Sequence, residues 1–359
     1  MKLWQKANST DRKVDSFTVG KDREYDLILA QYDCKASIAH ANMLAKVGLL
    51  TKDEAKKLTI ELKASAQTVE NGTFSIPDSF EDMHSRIEFL LSEKLGALGK
   101  KIHTARSRND QVLVALHLYV KEEIQAIKKS TFSLFELLLE LAKKNKGVLL
   151  PGYTHMQVAM PSSFGLWFSA YAETQIHDLE MFNAAFAMAD QNPLGSAAGF
   201  GTSFPIYRKA TTDALEFSDL KYNVVAAQMG RGKVEKAAVQ AVGQLGATLS
   251  KLAMDICLYM GQDFDFIHFP EKLTTGSIIM HHKKNPDIFE LIRGKCNLLQ
   301  GLPHQLSLLN SNLPSGYHRE MQLAKGLLIE AFQEIKSCLD CLLYTSDAAD
   351  EEDSEDLGG

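Results

Sequence analysis

The 359-residue sequence contains no apolar run long enough to cross a bilayer; charges interrupt even the Leu-rich stretch around Leu134 to Leu141. The first residues, Met1-Lys2-Leu3-Trp4-Gln5-Lys6, lack the apolar core of a signal peptide. Cysteine is sparse. Cys34, Cys257, Cys296, Cys338 and Cys341 are odd in number, and the single Cys-x-x-Cys spacing at 338 and 341 has no second pair. That excludes a disulfide framework and a cysteine-built zinc site, and points to a reducing, cytoplasmic setting. A consistent excess of one charge is missing too. Seven acidic residues between Cys341 and Gly359 account for more than the whole formal charge of −6, leaving a nearly neutral body. Such a balance gives no reason to expect nucleic acid or an anionic membrane as partner.

Strand signals are also scarce, with no alternating hairpins and no strand leading into a glycine-rich turn. Gly195-Ser196-Ala197-Ala198-Gly199-Phe200-Gly201 therefore gives only weak support to a nucleotide loop. Helical periodicity dominates instead. Leu113, Leu116, Val120, Ile124, Ile127, Leu134, Leu138 and Leu141 recur every three or four residues for the most part, and no Gly or Pro interrupts 112–145. The spacing predicts one helix of roughly 50 Å, a length that buries its stripe naturally in a bundle. Further helices are expected over 162–189, 232–260 and 319–340. Beyond Tyr344 the periodicity stops, and the acidic tail reads as disordered. Its letters from Cys341 to Glu351 look like translated sequencing-adapter DNA, so native coding sequence is expected to stop near Asp340.

Three polar segments could carry chemistry. His103-Thr104-Ala105-Arg106-Ser107-Arg108-Asn109-Asp110 leads into the long helix, where Asn109 or Asp110 can cap it. It reads either as an anion seat at a helix N-terminus or as an ordinary cap with solvated arginines. Gly152-Tyr153-Thr154-His155-Met156-Gln157 places a polar cluster in a connection between helices, where His155 is either structural or catalytic. The third segment runs from Thr274 to Asp287 and contains Gly276-Ser277, Lys283-Lys284 and Asn285-Pro286. Asn285 before Pro286 predicts a helix start, and two lysines ahead of it make an anion site or a solvated basic turn. His281 and His282 are adjacent and lack supporting carboxylate or cysteine spacing, so no metal site is expected.

Together these segments resemble the fumarase, aspartase and argininosuccinate lyase superfamily. The third is similar to its signature Gly-Ser-Ser-x-Met-Pro-x-Lys-x-Asn-Pro, the first to its Ser-Arg-Asn region and the second to its Thr-His region. Glu81-Asp82-Met83-His84, the run His103 to Gln111, Pro151 to His155, and Asn192 to Ile206 resemble the argininosuccinate lyase branch. Tyr317, Gln322 and Lys325 fall at the spacing of that branch's residues for the arginine half of the substrate. The resemblance covers Leu3 to Asp340.

It implies an all-α, long-helix bundle forming a tetrameric core, and a cofactor-free elimination that releases arginine and fumarate. The domains implied are a mainly helical region at 1–108, an incomplete central bundle at 109–340 and the tail at 341–359, with a small C-terminal helical domain missing. By resemblance Ser277 is the base, Lys283 and Asn285 stabilise the carbanion, His155 donates a proton and Glu290 orients it. Ser107, Asn109 and Thr154 bind carboxylate with Arg108 in support, and each site draws its segments from three subunits of a homotetramer. The sequence departs from the pattern at Ile278, His281 and Ala105, where serine, proline and glycine are expected. Another fumarate-releasing lyase and a catalytically silent structural homologue are the competing readings.

Overall fold

The computed structural model of the chain describes residues 12–270, 273–276 and 284–355. Helices α1 (Arg12–Val19), α2 (Asp22–Lys46), α3 (Lys52–Glu70) and α4 (Met83–Leu95) and the single turn α5 (Ala97–Lys100) lead into α6 (Arg108–Lys144). A hairpin of β1 (Leu149–Thr154) and β2 (Gln157–Ser163) separates α6 from α7 (Phe164–Ala189). Two-residue strands β3 (Gln191–Asn192) and β4 (Asp219–Leu220) pair in parallel on either side of α8 (Arg208–Ala214). Then come α9 (Val224–Met229) and α10 (Lys233–Tyr259). Strand β5 (Thr275–Gly276) pairs antiparallel with β6 (Lys284–Asn285), ahead of α11 (Asp287–Leu299) and α12 (Leu302–Leu309). A turn of 3₁₀ helix at Arg319–Gln322 starts α13 (Leu323–Glu355). Among the described residues, no helix is long and apolar enough to cross a membrane.

The chain divides into two compact units that do not follow sequence order. The described residues of 1–122, 186–235 and 306–329 form the first, and those of 123–185, 236–305 and 330–359 the second. In the first, α2, α3 and α4 enclose an apolar core of Cys34, Met43, Leu44, Leu58, Leu62, Ile87 and Leu91. Full burial of each leucine is worth about 1.5–3 kcal/mol. Thr51 starts α3 with a capping box, its hydroxyl accepting from the Glu54 N–H while the Glu54 carboxylate accepts from the Thr51 N–H.

The second unit is the long-helix bundle. Leu134 and Leu138 on α6, Leu245 and Leu249 on α10 and Phe332, Ile335 and Leu339 on α13 are buried at helical spacing. Polar ties cross its helices: Trp167 and Tyr171 both donate to Asp255, Ser250 donates to Asn297, and Lys336 pairs with Glu123 at 2.5 Å. Helix α6 spans 37 residues, about 55 Å, as its uninterrupted apolar stripe predicts.

Three expectations need correction. The hairpin β1–β2 exists, although no alternation announces it. It has only two strands, β2 is mostly exposed, and its two-residue loop uses His155 and Met156, at φ of 54° and 61°, where Asn-Gly is usual. Helix α13 is described to Glu355, beyond the end near residue 340 that periodicity predicts; extending a helix already anchored by packing costs far less than starting one. Asn285 is not the cap of α11, because it pairs with Thr275 in β5–β6 and the helix starts two residues later at Asp287.

Candidate active site

The first unit holds a cavity of about 240 Å³ lined by charged side chains of both signs. Its base is Lys325, only 3% exposed, near the start of α13. Its ammonium lies 2.6 Å from Asp22 and 2.5 Å from Asp26 on α2. Burial opposes that charge, but the two carboxylates outweigh it and hold Lys325 above its ordinary pKa. Two carboxylates share one ammonium, and burial leaves Asp22 displaced upward. Gln322 donates to the carbonyls of Thr18 and Val19, and Tyr317 closes the same wall.

The opposite wall comes from α4 and the start of α6. Arg108 pairs with Glu81 at 3.2 Å and Asp82 at 3.0 Å, and donates to the Ser85 hydroxyl. Arg319 also pairs with Glu81, at 2.9 Å. His84 lines the cavity with its Nδ1 3.0 Å from Asp33. Burial disfavours its charge, yet Asp33, Asp82 and Asp26 together raise its pKa.

The first turn of α6 is organised by Asp110, whose carboxylate is fully buried. One oxygen accepts from the Ser107 N–H at 2.9 Å, and the other from the N–H groups of Gly195 at 3.1 Å and Ala197 at 2.9 Å. Ser107 is thus the cap residue, its hydroxyl accepting from Asn109, in place of the Asn109 or Asp110 cap expected from sequence. The glycine-rich 195–201 stretch is a loop fastened to a helix N-terminus. Gly195, at φ 91°, packs against the Arg208 side chain, which in turn donates to the carbonyls of Leu194 and Lys221.

Around this cavity the structure assembles Arg108, Asn109, Tyr317, Gln322 and Lys325, with Ser107 beside Asn109. Sequence reasoning missed Asp22, Asp26, Arg231 and Arg319. A signal existed for the aspartates: Asp22, Asp26 and Asp33 recur at helical spacing on the buried face of α2.

Thr154, His155, Asn285 and Glu290 belong to the second unit. Thr154 and His155 are exposed at the hairpin tip, and His155 holds the left-handed backbone, a conformation that costs a non-glycine residue free energy and clusters at functional sites. Glu290 is exposed and pairs with Arg293 at 3.8 Å, and among the described residues it makes no hydrogen bond to His155. Asn285 is half-buried and donates to the Thr275 hydroxyl, which itself donates to Asp287. Ser277 and Lys283 lie outside the described residues, as do Ile278 and His281.

Residues 7–301 match the family described as "Lyase". An argininosuccinate lyase of Parabacteroides distasonis is 54% identical over 338 residues, covering 94% of this chain and 76% of the relative. A structure of EDDS lyase in complex with formate superposes with a TM-score of 0.76 at 21% identity, over 93% of this chain and 67% of that one. A class II fumarase from Schistosoma mansoni gives 0.78 at 15% identity, over 94% and 82%. These two likenesses establish the shared helical fold.

Proposed function

The chain belongs to the argininosuccinate lyase family, and on that premise we propose that it splits argininosuccinate into arginine and fumarate by elimination. The observation that carries the reading is the cavity of the first unit. It presents Arg108, Asn109, Tyr317, Gln322 and Lys325 together with the acidic pair Asp22 and Asp26, a set matched to a ligand bearing carboxylates and an ammonium.

In the reaction a base removes a proton from the succinyl carbon next to a carboxylate. The carbanion's charge spreads into that carboxylate, the bond to the guanidino nitrogen breaks, and that nitrogen takes up a proton. Ser277 serves as base, activated by surrounding cations and hydrogen bonds because a free hydroxyl is far too weak. Lys283 and Asn285, just ahead of α11, stabilise the extra carboxylate charge. His155 protonates the leaving nitrogen, directly or through water, and Glu290 orients its ring. Ser107, Asn109 and Thr154 bind substrate carboxylate with Arg108 in support.

His155 and Glu290 do not meet within one chain, and the hairpin exposes Met156, Val158 and Met160 at 67–71%. Both features support a homotetramer in which each site draws segments from three subunits, so that an isolated monomer is inactive. The setting proposed is the cytoplasm. The 1–108 and 109–340 regions remain the proposed evolutionary domains of the chain.

A second reading, a silent homologue on the same fold, is favoured by one observation: Ile278 and His281 stand where the family signature has serine and proline. Fumarate release, followed by ultraviolet absorbance, tests both. Purified chain is offered argininosuccinate, adenylosuccinate, aspartate and malate separately, with oligomer mass measured on the same sample. Release from argininosuccinate alone is expected. An assembled tetramer that releases nothing supports the silent reading, and release from another substrate refutes the assignment.

A further inference from the structure

Four cations line the cavity, and three of them are already paired. Lys325 lies between Asp22 and Asp26, Arg108 meets Glu81 and Asp82, and Arg319 meets Glu81. Arg231 is different. It is only 7% exposed, yet it forms no ion pair with any carboxylate among the described residues. Asp22 and Glu235 act on it electrostatically from beyond contact distance, and its Nε has no hydrogen-bond partner. A buried guanidinium without a carboxylate is costly, so its retention beside an open cavity implies an anion supplied from outside.

Its setting is rigid. The Arg231 N–H donates to the Gln228 carbonyl at 3.2 Å, ending α9. The next residue, Gly232, has φ 79°, and a Cβ there would lie 2.3 Å from the Asn310 side chain. The Gly232 N–H donates to the Glu235 carboxylate at 2.7 Å, fixing the start of α10. The guanidinium lies over the Tyr317 ring, 5.2 Å from its centroid. A guanidinium held against a ring keeps its planar N–H fork, which can take a carboxylate through two parallel hydrogen bonds.

The rest of the cavity limits which carboxylate that is. Asp22 and Asp26 share a single ammonium, so this wall keeps one negative charge in excess, close enough to Arg231 for Asp22 to feel it. An unpaired cation beside an excess negative charge is the complement of an α-amino acid zwitterion. We infer that Arg231 is a specificity-determining residue that binds the α-carboxylate of the arginine end of the substrate, while the Asp22–Asp26 wall takes the α-ammonium. This rests on the argininosuccinate reading above.

Titration calorimetry on the full chain tests it with two probes, L-arginine and agmatine, which differ by the α-carboxylate alone. The wild type is expected to bind arginine about 10- to 100-fold more tightly, the range of a hydrogen bond to a charged group. Arg231→Gln should lower arginine affinity to the agmatine level and leave agmatine binding unchanged. Arg231→Lys, which keeps the charge but loses the planar fork, should fall between. Equal weakening of both ligands by Arg231→Gln overturns the inference, because a merely structural role would act on both alike. Should Arg231→Gln not fold, Arg231→Lys decides: discrimination equal to wild type overturns the inference, and partial loss supports it. Failure of the wild type to bind arginine at all refutes the parent reading of the cavity instead.

Discussion

Removing the Lys325 ammonium while keeping its bulk is the sharpest probe of the cavity. Lys325→Met retains an unbranched apolar stem but leaves Asp22 and Asp26, 15% and 2% exposed at their side chains, facing each other without a cation. Breaking a buried ion pair by deleting one partner costs about 3–5 kcal/mol, chiefly because the remaining charge stays buried. Spread over 359 residues at about 2.1 cal/mol/K each, that corresponds to a melting-temperature drop of about 4–7 °C. The pH dependence carries the diagnosis. In the wild type the raised Lys325 pKa gives stability that is fully present at neutral pH and lost only as pH rises through the folded value. In the variant Asp22, already displaced upward by burial, loses the Lys325 ammonium that holds it down. Its penalty is then largest at neutral pH and fades as pH falls toward the unfolded aspartate value of about 3.9. Differential scanning calorimetry at neutral and mildly acidic pH reads both effects. A variant within 1 °C of wild type at neutral pH, or a deficit that does not shrink on acidification, refutes the reasoning.

Asp110→Asn puts an amide where three backbone N–H groups converge, so its single carbonyl serves either Ser107 or the Gly195–Ala197 loop. It should cost about 1.5–3 kcal/mol of stability, measured by urea unfolding, and weaken argininosuccinate binding about tenfold at unchanged stoichiometry. Unchanged affinity would make the contact purely structural. His84, raised by Asp33, contributes stability that is present below about 6.5 and lost as pH climbs through its folded value. His84→Gln should therefore flatten the fall of the urea midpoint as pH rises from about 6.5 through the folded value, and parallel profiles would argue against the pair. Val158→Asp and Met160→Asp place a charge on the exposed hairpin face. Each should leave the monomer folded and lower the oligomer mass seen by sedimentation, and an intact tetramer would remove the hairpin from the interface.

The parts of the fold legible in sequence are those where one physical rule acts alone. Helix α6 is one, since an unbroken apolar stripe without Gly or Pro leaves no competing structure. The hairpin was hidden because its exposed strand has no buried face to impose alternation, and because His155 and Met156 adopt a backbone that their side chains do not advertise. The start of α11 falls one residue later than the local Asn-Pro rule predicts, because that rule yields to a pairing of Asn285 with Thr275 that sequence does not reveal. In the cavity, motif spacing found Tyr317, Gln322 and Lys325 but not their acidic partners. Asp22 and Asp26 sit on a helix whose apolar residues surround it on most sides, so their periodicity is masked until Lys325 is seen between them.

The division of candidate residues between the two units has a functional consequence. Every residue lining the charged cavity lies in the first unit, whereas Thr154, His155, Asn285 and Glu290 belong to the second. The cavity's cations find their described partners on α2 and just ahead of α4 or, for Arg231, on Tyr317. Under the proposed function the altered signature bears on proton transfer, and the cavity of the first unit bears on arginine binding. Loss of turnover in this chain should accordingly not entail loss of arginine binding. Ile278→Ser combined with His281→Pro should raise kcat if the signature residues matter, with arginine affinity unchanged. A parallel rise in arginine affinity would show that the two halves of the site are coupled and that this separation is wrong.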